Sequence, residues 1–144
     1  MTGFFTSEIR ENGQRVGFSI ETLKGEKGIL AHINNQGPIR VGKYGVNIKD
    51  IDQIAAPSMM PSMPDEIVVI DEIGKMECLS RLFKQTLLDV LNSDHPVIGS
   101  IALKGDLFIR KIKERNDVEL IQVSEKNRDT LIDLLTNKLI SSII

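Results

Sequence analysis

Apolar positions alternate with polar ones through the first third of the chain and then change period. Residues 3–10 and 15–23 both read as strands, with Val16, Phe18 and Ile20 alternating with polar neighbours. That pattern suits a strand with one buried face. Between them lies Glu11-Asn12-Gly13-Gln14, a hairpin signal because Asn and Gly tolerate positive φ. Residues 29–33 and 39–46 add two short strands. Asn47 begins a helical stripe of Ile48, Ile51, Ile54 and Ala55. Its side chain can cap that helix, and Pro57 is expected to stop it. A connector rich in proline and methionine follows at 58–64. Ile67-Val68-Val69-Ile70 then reads as a buried parallel strand. Ser80 caps a predicted helix to about Leu91, with Phe83, Leu87, Val90 and Leu91 on one side. Beyond it come a strand at 96–102, a basic helix at 106–115, a strand at 118–123 and a last helix. Ser124 is expected to cap that helix, which carries Leu131, Leu134, Leu135 and Leu139. Strands that alternate with helices from Glu66 onward predict an α/β fold with a mainly parallel sheet. The 144 residues show no linker and read as a single domain, 1–144.

Composition changes this picture little. A 41% hydrophobic and 26% charged chain is expected to be globular. A net charge of -2 gives no strong pull toward polyanions or membranes. The lone Cys78 cannot form an internal disulfide, which favours a reducing compartment. No leader pattern and no apolar run of membrane-spanning length is visible, so the expected location is cytoplasmic. With five Phe, one Tyr and no Trp, no basic stripe interleaved with aromatics marks a single-strand nucleic-acid surface.

Candidate chemistry concentrates where the apolar run meets Asp71-Glu72. Ligands of parallel sheets bind outside the carboxyl ends of the strands. A carboxylate placed there can hold a magnesium ion through water, and the glutamate beside it can polarise a water that attacks a γ-phosphate. Carboxylates are also common wherever a sheet meets solvent, so the pair alone leaves both readings open.

The residues that follow are more specific. Asp71-Glu72-Ile73-Gly74-Lys75-Met76-Glu77 resembles the signature of a small P-loop family, the nucleoside triphosphatases known from thermophiles and as the cancer-related nucleoside triphosphatase. Gly3-Phe4-Phe5-Thr6-Ser7-Glu8-Ile9-Arg10 is similar to that family's second-strand motif. Val41-Gly42-Lys43-Tyr44-Gly45-Val46 is similar to its central hairpin. Asp117-Val118 and Asn127-Arg128-Asp129 match its last strand and helix. The resemblance spans nearly the whole chain. It implies a P-loop NTPase-like domain with helices on both faces of the sheet, N-terminal β-hairpins, and magnesium-dependent hydrolysis of ATP, GTP or another nucleoside triphosphate to diphosphate and phosphate. By that resemblance Asp71 serves the metal and Glu72 is the base. Ser100 stands at the end of the next strand, where many P-loop proteins sense the γ-phosphate. An ordinary small residue at a tight strand end is the plainer reading of Ser100.

The family begins with a strand, a G-x-x-x-x-G-K-[ST] loop and a helix, and this sequence opens on the second-strand motif. The first strand, phosphate loop and first helix are therefore expected to be absent. Neighbouring strands would then carry unpaired edges, which invite self-association or a complementing chain. Gly37-Pro38-Ile39-Arg40-Val41-Gly42-Lys43-Tyr44 nearly fits the loop pattern. A phosphate loop needs a buried strand before it and a helix N-terminus after it. Here the flanks look strand-like, so a glycine-flexed hairpin is expected. Without its loop the chain alone is expected to be inactive. The other reading is a non-catalytic remnant that binds a nucleotide or a partner.

Four more positions tempt assignment. Arg115 ends a basic cluster with Arg110, Lys111 and Lys113, either a lid over phosphates or a solvated helix face. Asn127 and Arg128 either contact base or phosphate or build a helix-start hydrogen-bond network. Cys78 reads as a buried, inert thiol.

Overall fold

A computed structural model describes residues 1–124 and 126–143, without the side chains of residues 129, 132 and 139–143. The expectations for the Asp129 and Leu139 side chains lie outside the described set. The chain divides into two compact units, Met1–Leu103 and Lys104–Ile144.

In the first unit seven strands form one sheet: β1 (Thr2–Glu11), β2 (Gln14–Thr22), β3 (Lys27–His32), β4 (Arg40–Val41), β5 (Tyr44–Val46), β6 (Val68–Ile73) and β7 (Val97–Ile101). Their order is β4-β5-β3-β2-β1-β6-β7. β1, β6 and β7 run parallel, while β1-β2, β2-β3, β3-β5 and β4-β5 are antiparallel. The sheet is mixed, not mainly parallel, because short hairpins return the chain directly through its first half. Asn12 (φ 51°) and Gly13 (φ 77°) make the expected β1-β2 turn, whose two left-handed residues match the twist of the flanking strands.

Burial follows the alternation. Phe4, Ile20, Val68 and Ile70 are at most 1% exposed. The pairs Phe4↔Ile70, Thr2↔Val68 and Thr6↔Ile20 place these residues on one face. Two helices cover that face. The first, residues 48–58 (α1), is capped by Asn47, whose side chain accepts from the Asp50 N–H at 3.1 Å. It widens over Ile51–Ala55, where the Ala56 N–H reaches back to the Ile51 carbonyl. Pro57 does not stop it. Proline sits in the first positions of the final turn, Ala56–Ser58, where its lacking N–H is tolerated. The second, α2 (Arg81–Leu91), starts as expected with the Ser80 hydroxyl accepting from the Phe83 N–H at 3.0 Å. Phe83 meets Phe4 edge-on at 5.9 Å, and the Ser80 hydroxyl also donates to Asp52, which ties α2 to α1.

The strand expected at 67–70 runs on to Ile73 and is buried on one face only. Val69 and Ile67, on the other side, are half-buried. β6 pairs with β1 on one side and β7 on the other. Of the connector methionines, Met59 is core while Met60 and Met63 are exposed. Cys78 is buried.

In the second unit, α3 (Leu107–Lys113) is capped by Asp106, and α4 spans Arg128–Ile143. Leu131 is buried, whereas Leu134 is 46% exposed. Residues 118–123 form no strand. Leu120 and Val123 are 54% and 65% exposed, and the segment pairs with no strand among the described residues. The apolar run there lacks both the burial and the ladder partner that make a strand.

Candidate active site

β6 carries the carboxylates into solvent because its regular pairing fails where they lie. Ile70 pairs with Gly99 and Ile73 with Ile101. Asp71 and Glu72 thus oppose the single residue Ser100. Two residues against one is a β-bulge, a device that re-aims side chains beside functional sites. Asp71 and Glu72 are both exposed. The Ser100 hydroxyl donates to the Asp71 carboxylate at 2.5 Å, which fixes one oxygen and leaves lone pairs on the other.

The turn after the bulge brings in a residue that the carboxylate motif alone did not single out. Glu77 is 2% exposed, and its carboxylate accepts from its own N–H and from the backbone N–H of Glu72. Burial pushes its pKa up to about 7, and repulsion from Glu72 and Asp71 adds to the rise. Gly74 makes room for this. A Cβ there would lie 3.0 Å from Glu77 Oε1 and 3.1 Å from Glu72 Oε1, too close for ordinary packing. The signal was in the sequence: a small residue three before a carboxylate, inside the same motif.

Among the described residues no three His, Cys, Asp or Glu side chains are arranged to hold a metal ion. Asp71 offers a hard oxygen donor. Magnesium keeps several waters and takes one or two carboxylates plus phosphate oxygens, so the residues fit an ion that arrives with its nucleotide.

The sequence Gly37 to Tyr44 is a hairpin and not a phosphate loop. β4 ends at Val41, Gly42 turns at φ 58°, and β5 begins at Tyr44. The Arg40 guanidinium donates to the carbonyls of Asn35 and Lys43 at 2.8 and 2.9 Å. The Tyr44 hydroxyl accepts from Arg15 at 2.9 Å. No helix starts at this turn.

A family model described as NTPase matches residues 1–136. The chain belongs to this NTPase family. Relatives named Nucleoside-triphosphatase THEP1 include that of Thermotoga sp. (strain RQ2), 46% identical over 91% of this chain and 76% of the relative. That of Methanosarcina barkeri is 40% identical over 94% and 78%. The crystal structure of THEP1 from Aquifex aeolicus matches with a TM-score of 0.85 at 27% identity, covering 96% of this chain and 83% of that one. The solution structure of a human cancer-related nucleoside triphosphatase matches at 0.81 and 33%, covering 99% and 82%. The fold is the P-loop NTPase fold of these proteins.

Of the six positions singled out in this NTPase sequence, the structure joins Asp71, Glu72 and Ser100 at one strand end. The other three belong to the second unit and are described within it. Arg115 grips Asp117 with two bonds, at 2.9 and 2.8 Å. The Asn127 side chain accepts from the Ser124 N–H and donates to the Gln122 carbonyl, both at 2.7 Å. That is the helix-start network among its two readings. The Ser124 carbonyl accepts from the N–H groups of Asn127 and Arg128. Arg128 is an exposed first residue of α4.

Proposed function

We propose that this protein works in nucleoside triphosphate hydrolysis, NTP + water to NDP + phosphate, with Glu72 as the base that polarises the attacking water and Asp71 as the carboxylate that holds magnesium through water. The observation that carries the reading is the bulge that presents Asp71 and Glu72 together, with Ser100 bonded to Asp71. It is supported by the family's nucleoside triphosphatases, which share the fold and nearly the whole chain. Magnesium, when bound, neutralises charge on the phosphates. Asp71 orients the ion's water, Ser100 orients Asp71, and Glu77 steadies the Glu72 backbone. ATP and GTP are the substrates to try first, and the cytoplasm is the proposed location. Among the described residues no helix is long and apolar enough to cross a membrane.

A version carrying a phosphate loop ahead of Met1 tests the roles. Glu72→Gln should lower phosphate release by roughly 10²- to 10⁴-fold, the scale of a general base, with nucleotide binding retained. Asp71→Asn should raise the magnesium requirement. Equal turnover in Glu72→Gln and the parent would remove Glu72 from the mechanism. One observation favours a second reading, a non-catalytic nucleotide- or partner-binding role: the one near-match to a phosphate loop is a hairpin.

A further inference from the structure

Gly74 follows the bulged end of β6, and its backbone does not ask for glycine. Its φ lies outside the left-handed region, so an alanine could adopt the same conformation. The need for a bare Cα comes from what stands over it. A Cβ here would meet Glu77 Oε1 at 3.0 Å, Glu72 Oε1 at 3.1 Å and the Glu72 carboxyl carbon at 3.3 Å. Its nearest neighbours would thus be two carboxylate groups and no apolar packing partner. Contacts this tight require a neighbour to give by a few tenths of an ångström, so the question is which one gives.

The Gly74 main chain is held on both sides. The Ala102 N–H donates to the Ile73 carbonyl, and the Cys78 N–H donates to the Gly74 carbonyl, both at 3.0 Å. Glu77 is 2% exposed. It opens the short turn Glu77–Leu79, and its carbonyl accepts from the Ser80 N–H at 3.1 Å. Ser80 caps α2 and bonds Asp52 of α1, so Glu77 stands on a rigid base. Glu72 is exposed, and its carboxylate is the group that gives way. We propose that Gly74 is a positioning residue for Glu72: its bare Cα keeps open the place where the Glu72 carboxylate stands, with Glu77 as the fixed wall beside it. The catalytic meaning rests on the reading of Glu72 as the base, whereas the placing of its carboxylate does not. Misplacing a reacting group by about 1 Å can cost roughly 10²-fold in rate. A shift of a few tenths of an ångström is then expected to cost roughly 3- to 10-fold.

The test is Gly74→Ala, read first in the 144-residue chain by carbon-detected NMR and thermal unfolding. The Glu72 side-chain carboxyl resonance should move. The thermal midpoint should equal or exceed the parent's, because alanine at a compatible backbone position lowers the entropy of the unfolded chain. In the version carrying a phosphate loop, Gly74→Ala should lower kcat roughly 3- to 10-fold with KM within about twofold. The same substitution in the Glu72→Gln background should cost nothing further, since a residue that acts through Glu72 loses its effect once the carboxylate is gone. A Glu72 carboxyl resonance that stays in place in folded Gly74→Ala overturns the proposal. So does a lowered thermal midpoint, which would make Gly74 a packing requirement of the fold, and so does an equal fall in kcat in the Glu72→Gln background. Parent-like turnover in Glu72→Gln alone would instead remove the base reading, and the carboxyl resonance would still decide whether Gly74 places Glu72.

Discussion

Glu77 sets a pH dependence. Its pKa is raised from 4.5 to about 7, chiefly by burial and further by Glu72 and Asp71. Below pH 4.5 the group is protonated in folded and unfolded chain alike and changes nothing. Between pH 4.5 and 7 the unfolded chain gives up a proton that the folded chain keeps, so stability falls as pH rises. At roughly 1.4 kcal/mol per pH unit, the loss amounts to about 3 kcal/mol above pH 7 and is absent at low pH. Glu77→Gln keeps the shape without the charge. Its thermal midpoint should exceed the parent's at pH 8, with the gap closing as pH approaches 5. A gap that does not vary with pH would show that Glu77 has the same pKa in the folded and unfolded chain. The spacing of Gly74 and Glu77 was the trace of this in the sequence, but it does not state the burial. A glutamate at the end of a polar motif looks solvated until the turn folds it inward.

At the level of elements, the β4-β5 hairpin separates a sequence pattern from the structure that must carry it. Gly37 to Lys43 spells a phosphate loop but folds as a turn, because a loop of that kind is defined by the helix N-terminus behind it. Gly42 has φ 58°, where a Cβ costs on the order of 1 kcal/mol. Gly42→Ala should lower stability by about that amount in a denaturant titration. Lys43→Ala should leave turnover of a loop-bearing version within about twofold, whereas loss of a phosphate-binding lysine would cost orders of magnitude. Strong inactivation by Lys43→Ala would make the hairpin part of the site. Elements with local signals were legible throughout: Asn12-Gly13, the Asn47 and Ser80 caps, and the apolar face of α2. Those depend on neighbours a few residues away. Residues 118–123 were misread because Val-Glu-Leu-Ile-Gln-Val has β-propensity, and propensity does not supply a partner strand. The mixed character of the sheet was half-legible. The hairpins were seen, but their share of the pairing was not, since register is set between segments distant in sequence. At the site, Asp71, Glu72 and Ser100 came from strand ends. The bulge that joins them came only from the pairing.

For the whole molecule, the question is what the chain does unaided. Asp71, Glu72 and Ser100 form a strand-end cluster that is already built. In phosphoryl transfer, however, most of the catalysis is positioning and electrostatic stabilisation of the phosphates. Backbone N–H groups of a glycine-rich loop and its lysine supply that grip. Among the described residues the near-match at Gly37 to Tyr44 cannot, because Gly42 and Lys43 form a hairpin turn and the Arg40 guanidinium is committed to loop carbonyls. In the roles proposed for them, Asp71 and Glu72 would then have no fixed γ-phosphate to act on. The 144-residue chain by itself should therefore release little or no phosphate from magnesium-ATP or magnesium-GTP, while a version carrying the loop should turn over at roughly 1 to 10³ s⁻¹, the broad range of enzymes. Purified chain, with Glu72→Gln as the contamination control, gives the measurement. Turnover in that range that vanishes in the control would refute the prediction, and would mean that phosphate is gripped by groups other than a glycine-rich loop.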